Sequence, residues 1–127
     1  MASTKLKKVV VVDDSLSLAT LFQRAAENMD VQLVFFNATS NAWSYLETHK
    51  PDLLFLNIKM PGKDGLATLK ELRNRPLHGN TPIVMISSKD YAQDRSVANE
   101  FGALEFITKP VPIRVIKDAI LKHLDFD

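Results

Sequence analysis

Pro51-Asp52-Leu53-Leu54-Phe55-Leu56-Asn57-Ile58-Lys59-Met60-Pro61-Gly62-Lys63-Asp64-Gly65 is the stretch on which the fold turns. Residues 53–56 are a short apolar run of the kind that fills a strand buried on both faces. The run meets one polar residue, Asn57, and then a turn rich in Gly and Pro. Beyond it Leu66, Leu69 and Leu72 recur at helical spacing. A polar side chain at the carboxyl end of a buried strand stands where open α/β sheets meet their ligands.

The same strand-then-helix pattern repeats on both sides. Residues 9–12 are four valines that end in Asp13-Asp14-Ser15. Ser15 or Asp14 can cap the next helix, whose buried face is Leu18, Leu21, Phe22, Ala25, Ala26 and Met29. Residues 31–36 form a second strand. Ser40 is expected to cap a short helix with Ala42 and Leu46 on one side, which stops at His49-Lys50-Pro51 because the residue before a proline avoids the helical region. Downstream, residues 74–81 read as a loop and 83–86 as a fourth strand ending in Ser87-Ser88-Lys89. Residues 92–101 form a weaker helix with Gly102 at its C-cap. Residues 104–107 form a fifth strand ending in Thr108-Lys109-Pro110. Ile113, Ile116 and Ile120 mark a last helix that fades at Leu124.

Strand and helix alternate five times, which implies a parallel sheet covered on both faces. The expected architecture is α/β, a flavodoxin-like doubly wound sheet of five parallel strands in the order 2-1-3-4-5 with five helices. One domain is expected over residues 1–127, with its core over about 7–124. The net charge of +1 points to no polyanionic partner, so no direct nucleic-acid contact is expected. Zero cysteines exclude a disulfide scaffold, thiolate metal sites and a cysteine nucleophile, and are compatible with a reducing cytosol. No apolar run approaches the ~20 residues of a membrane span, and no signal-peptide core opens the chain.

In a parallel sheet all strand ends point one way. One rim therefore receives Asp13 and Asp14, Asn57, Ser87 and Lys109 from four separate segments. Singly these are a helix cap and turn residues; together they suggest a site. Carboxylates suit a hard divalent cation such as Mg2+, and a hydroxyl with an ammonium suits a phosphoryl group. The combination reads as metal-assisted phosphoryl chemistry.

Val-Val-Asp-Asp-Ser at 11–15, the 51–65 stretch, Pro-Ile-Val-Met-Ile-Ser-Ser at 82–88 and Phe-Ile-Thr-Lys-Pro at 106–110 together resemble the receiver (CheY-like) domain of two-component response regulators, over nearly the whole chain. The resemblance implies a cytoplasmic signalling module, not an enzyme, that takes a phosphoryl group from a histidine kinase or phosphotransfer protein. It implies a phosphoacceptor position at Asn57. Mg2+ would be held at Asp13, Asp14, Asn57 and the backbone carbonyl of Lys59. Ser87, Phe106 and Lys109 would bind the phosphoryl group and switch with it. It further implies a cis bond at Lys109-Pro110, no membrane contact, and an output partner or effector domain on the face of the fourth helix, fifth strand and fifth helix, residues 91–101, 104–108 and 113–124.

Asn57 departs from that family, which has an aspartate there. A carboxylate oxygen is the nucleophile in such a transfer, and an amide oxygen carries no full negative charge. The chain is expected to stay unphosphorylated at this position and to hold Mg2+ more weakly. Two explanations stand: a substitution made to freeze the unphosphorylated form, or a natural pseudo-receiver that signals by binding alone. The otherwise intact pocket favours the first. A small flavodoxin-like enzyme or nucleotide binder is a remote alternative, because acids occupy the place of a Gly-rich phosphate loop after the first strand.

Overall fold

The structure, a computed structural model, describes residues 6–125. Its elements run β1 (Lys7–Val12), α1 (Leu16–Ala25), β2 (Val31–Phe36), α2 (Thr39–Leu46), β3 (Leu53–Asn57), α3 (Gly65–Arg73), β4 (Ile83–Ser87), α4 (Ala92–Glu100), β5 (Glu105–Thr108) and α5 (Ile113–His123), with a 3-10 turn at Pro76–His78. The strands are all parallel, in the order β2-β1-β3-β4-β5. This is the expected doubly wound flavodoxin-like architecture.

The valine run explains itself in the packing. Alternate residues of a strand face opposite sides of a sheet. Val9 and Val11 join Phe22, Phe55, Ile116 and Ile120 under α1 and α5, while Val10 and Val12 join Leu46, Leu54, Leu56, Leu69, Leu72 and Met85 under α2 and α3. Both faces of β1 are covered, so neither can be polar. Phe22 anchors the first layer, edge-on to Phe55 at 4.8 Å and to Phe35 at 5.9 Å between ring centroids.

Several element ends differ from expectation for identifiable reasons. Ser15, not Asp14, caps α1, its side chain accepting from the Leu18 amide at 3.2 Å. α1 stops at Ala25, and Asn28 turns the chain at φ 66°, so Met29 reaches the core from outside the helix. Ser40 does not cap α2. Ala38 holds the cap position and no side chain caps that end. β3 and β4 each run one residue further than their apolar stretches, through Asn57 and Ser87, because the backbone ladder continues whatever the side chain. Phe101 is the C-cap of α4, and Gly102 follows it at φ 76°. The amides of Gly102 and Ala103 return to the carbonyls of Asn99 and Ala98, the paired closure that a left-handed residue allows.

At the far end of the sheet the Arg73 guanidinium donates to the carbonyls of Phe101, Gly102, His78 and Thr81. Burial lowers its pKa from the ordinary arginine value. His78 is buried between the Thr81 hydroxyl at 2.8 Å and the Leu46 carbonyl at 2.6 Å. A carbonyl only accepts, so Nε2 carries the proton and Nδ1 accepts from Thr81. Among the described residues no helix is long and apolar enough to cross a membrane.

The loop 58–64 joins β3 to α3 and is closed tightly at its base. Asp64 caps α3 through the Ala67 amide at 2.8 Å, and the Gly65 amide donates to the Ile58 carbonyl at 2.6 Å. A methyl on Gly65 would lie 2.8 Å from the Asn57 carbonyl carbon and 2.9 Å from Ile58 Cα. Both neighbours are backbone and cannot swing away. Gly65→Ala is therefore expected to cost about 3 kcal/mol, the upper end for overpacking, read as a fall in the urea midpoint with the far-ultraviolet spectrum kept. An unchanged midpoint contradicts the close approach.

Candidate functional site

The ladder register carries the polar residues to one edge. Val12 pairs with both Phe36 and Leu56, Asn57 with Ile86, and Ser87 with Thr108. Asp13 follows β1 directly, and Lys109 follows β5 with its amide bonded to the Ser87 carbonyl at 2.8 Å. Here Asp14, Asn57, Lys59, Met60, Pro61, Ser88 and Lys109 line an open cleft of about 380 Å3. The bond between Lys109 and Pro110 is cis, as expected.

Asp13 is almost wholly buried, at 2% exposure, and Asp14 is exposed. Asp13 Oδ1 accepts from the Ser15 amide at 2.8 Å and lies 3.3 Å from Lys109 Nζ. Its Oδ2 lies 3.0 Å from the same ammonium but has no donor aligned on it. Lys109 thus neutralises the buried carboxylate while leaving one oxygen with unused lone pairs. Ser87, at 3% exposure, accepts from the Lys89 amide at 3.0 Å, so its hydroxyl proton remains as the donor it can offer. Ser88 lines the cleft in front of it.

Asn57 is also buried, at 3% exposure. Its Nδ2 donates to the carbonyl of Lys59 at 2.8 Å and contacts Met60 Sδ at 3.7 Å. Both partners are acceptors, and turning the amide over would set oxygen against oxygen, so the orientation is determined. The Lys59 carbonyl, a cation ligand in the expected scheme, therefore already accepts one hydrogen bond from the amide of Asn57.

The structure brings Asp13, Asp14, Asn57, Lys59 and Lys109 together, with Ser87 just beneath. Phe106 stands apart. It lies on β5 beside Met85, half-buried, with the Arg95 guanidinium 4.7 Å from its ring centroid, in a separate depression formed with Ala98, Asn99, Ala103, Leu104 and Glu105. Arg95 also pairs with Asp90. That hydrogen bond holds the Asp90 carboxyl below the usual carboxylate range and the guanidinium above its own. A depressed carboxyl pKa means that the pair holds at neutral pH and loosens as the pH falls in acid. Nothing in the periodicity of α4 singles out Arg95.

As a test of fit for a divalent cation, the Oδ2 of Asp13, which pairs with Lys109 but accepts no hydrogen bond, and the exposed carboxylate of Asp14 are hard oxygen donors of the type that suits Mg2+. Asn57 replaces a third acid, and its N–H covers the carbonyl beside it. The residues fit the ion with a reduced donor set.

A family model described as the response regulator receiver domain matches residues 9–121. The alkaline phosphatase synthesis transcriptional regulatory protein PhoP of Bacillus subtilis (strain 168) is 36% identical over 110 residues, which cover 87% of this chain and 45% of that protein. The chain thus spans less than half the length of this curated relative. Among solved structures, the phosphorylated cyanobacterial phytochrome response regulator RcpA gives a TM-score of 0.84 at 24% identity, covering 92% of this chain and 93% of that one. The Mn2+-bound form of the response regulator Rcp1 gives 0.84 at 20% identity, covering 95% and 96%.

Asn57→Asp would exchange the donor on the Lys59 carbonyl for an acceptor, and would add a third acid beside Asp13 and Asp14. Without a divalent cation it is expected to destabilise the fold by about 2 kcal/mol, the scale of a buried group left unsatisfied, as a lower melting temperature in chelator. A variant that melts clearly higher than the parent in chelator contradicts the hydrogen-bond account.

Proposed function

The chain belongs to the response regulator receiver domain family of two-component systems, and from that premise we propose that it is a phosphorelay receiver with Asn57 in the phosphoacceptor position, held in its unphosphorylated form. The observation that supports the reading is the Asn57 amide, which lies at the end of β3, lines the cleft and donates to the Lys59 carbonyl. A carboxylate there would attack phosphorus and expel the donor's nitrogen. An amide has no comparable route.

In this reading Asp13 and Asp14 would hold Mg2+; the structurally similar Rcp1 was solved in a Mn2+-bound form. The ion would neutralise phosphoryl oxygens. The engaged Lys59 carbonyl and the missing acid weaken its binding. Lys109 supplies a positive charge and Ser87 a hydroxyl to the same place, and Phe106 is the aromatic partner of that switch. The phosphoryl donor would be a histidine kinase or phosphotransfer protein. The output partner or effector domain would meet the face of α4, β5 and α5, where Tyr91, Leu104 and Leu121 are exposed. The unit signals and is not itself an enzyme. A cytoplasmic location belongs to the same reading.

The pseudo-receiver that signals by binding alone has one observation in its favour: Asn57 satisfies its surroundings without a metal. Intact mass after treatment with acetyl phosphate and Mg2+, on the parent and on Asn57→Asp, separates the two. The expected result is one labile phosphoryl group on the variant and none on the parent. No gain on either supports the pseudo-receiver, and a gain on the parent contradicts the block at Asn57.

A further inference from the structure

The amino end of α2 has an arrangement that its sequence does not announce. Ala38 holds the cap position, and neither Thr39 nor Ser40 beside it caps the helix with its hydroxyl. Ser40 is exposed, whereas Thr39 is 5% exposed and its hydroxyl donates to the Lys63 carbonyl at 3.1 Å, in the loop 58–64. One turn on, the ring centroid of Trp43 lies 5.8 Å from Lys63 Nζ and 5.1 Å from Arg75 Cζ. Lys63 and Arg75 both pair with Glu71 on α3. The far limb of the loop is thus held by α2 through the backbone of Lys63 and packed there through its side chain.

The near limb is held by Asn57 on the Lys59 carbonyl, and the base by the Gly65 amide on Ile58. Between them Gly62 adopts φ 80°, and no backbone hydrogen bond is found at residues 60–62. The loop is thus fixed at Lys59 and at Lys63, with the free turn at residues 60–62 between the two ties. A buried Thr hydroxyl diverted from its local helix end to a loop 24 residues away is a tie of this kind.

We propose that Thr39 is a positioning residue for the site: its hydroxyl, with Trp43 packed against Lys63, latches the loop between β3 and α3 and so sets where the Lys59 carbonyl stands. The consequence for cation binding rests on the receiver reading of the cleft; the latch itself does not.

Thr39→Val keeps the branched shape and removes the donor, while Thr39→Ser keeps the hydroxyl. Amide hydrogen exchange is read at Gly65 and Ala67, whose bonds close the loop. Thr39→Val is expected to speed exchange there about fivefold, the factor one net hydrogen bond represents, with the β1 amides unchanged and Thr39→Ser close to the parent. Equal rates in all three chains overturn the latch. So does a uniform acceleration that includes β1, which assigns Thr39 to general stability.

Mg2+ titration in the Asn57→Asp background reads the consequence. Adding Thr39→Val is expected to weaken binding about tenfold, as losing a partner behind a metal ligand does, and Thr39→Ser to restore it. Equal affinity with and without Thr39→Val overturns the link to Lys59. If Asn57→Asp binds no Mg2+ at all, the receiver reading of the cleft fails, and the exchange rates still decide the latch.

Discussion

A single hydrogen bond, from the Asn57 amide to the Lys59 carbonyl at 2.8 Å, is the constraint on which the site depends. It arises because β3 is buried on both faces up to its last residue, which leaves the Asn57 side chain almost wholly out of solvent. A polar group in such a place must find a partner. A carboxylate only accepts, and would face a carbonyl oxygen and the buried Asp13 unless a cation came between them. A carboxamide supplies its own donor and ties the near limb of the loop without a cation. The same side-chain shape therefore meets the Lys59 carbonyl in opposite ways, as a donor in the amide and as an acceptor in the acid.

The rest of the cleft retains the charges that a phosphoryl group and a cation would use. Asp13 and Lys109 form an ion pair across the ends of β1 and β5, with the carboxylate fully withdrawn from water. Buried pairs of this kind seldom add much net stability, because desolvation offsets their attraction. Their presence at a rim built from four separate segments is better explained by chemistry than by folding. The parallel ladder does the assembly: β3 and β4 end at Asn57 and Ser87, Asp13 and Lys109 directly follow β1 and β5, and register brings those ends into line.

What the sequence revealed and what it hid follow from range. Residues 9–12 and 53–56 could be read as doubly buried strands because four apolar residues in succession leave no polar face. Their order with the intervening helices then dictated the sheet and the rim where Asp13, Asn57 and Lys109 meet. Hidden were the contacts that join residues distant in the chain. Thr39 and Ser40 look alike as caps, and only the loop packed above Thr39 separates their roles. Met29 has helical spacing with Phe22, yet Asn28 breaks the helix before it. Phe106 belongs to the switch by resemblance, but its ring is held outside the cleft by Arg95, a residue no pattern marked. The state of the Lys59 carbonyl was beyond reach altogether, since a backbone oxygen has no letter in the sequence.

We propose that the Asn57 amide weakens the cation site by engaging the Lys59 carbonyl and standing in the place of a third acid. Mn2+ titration followed by electron paramagnetic resonance counts bound ions directly, on the parent and on Asn57→Asp under the same conditions. The account expects the variant to saturate at one ion at concentrations where the parent binds none. Equal affinity in the two chains would contradict it, because the amide would then not be what weakens the site.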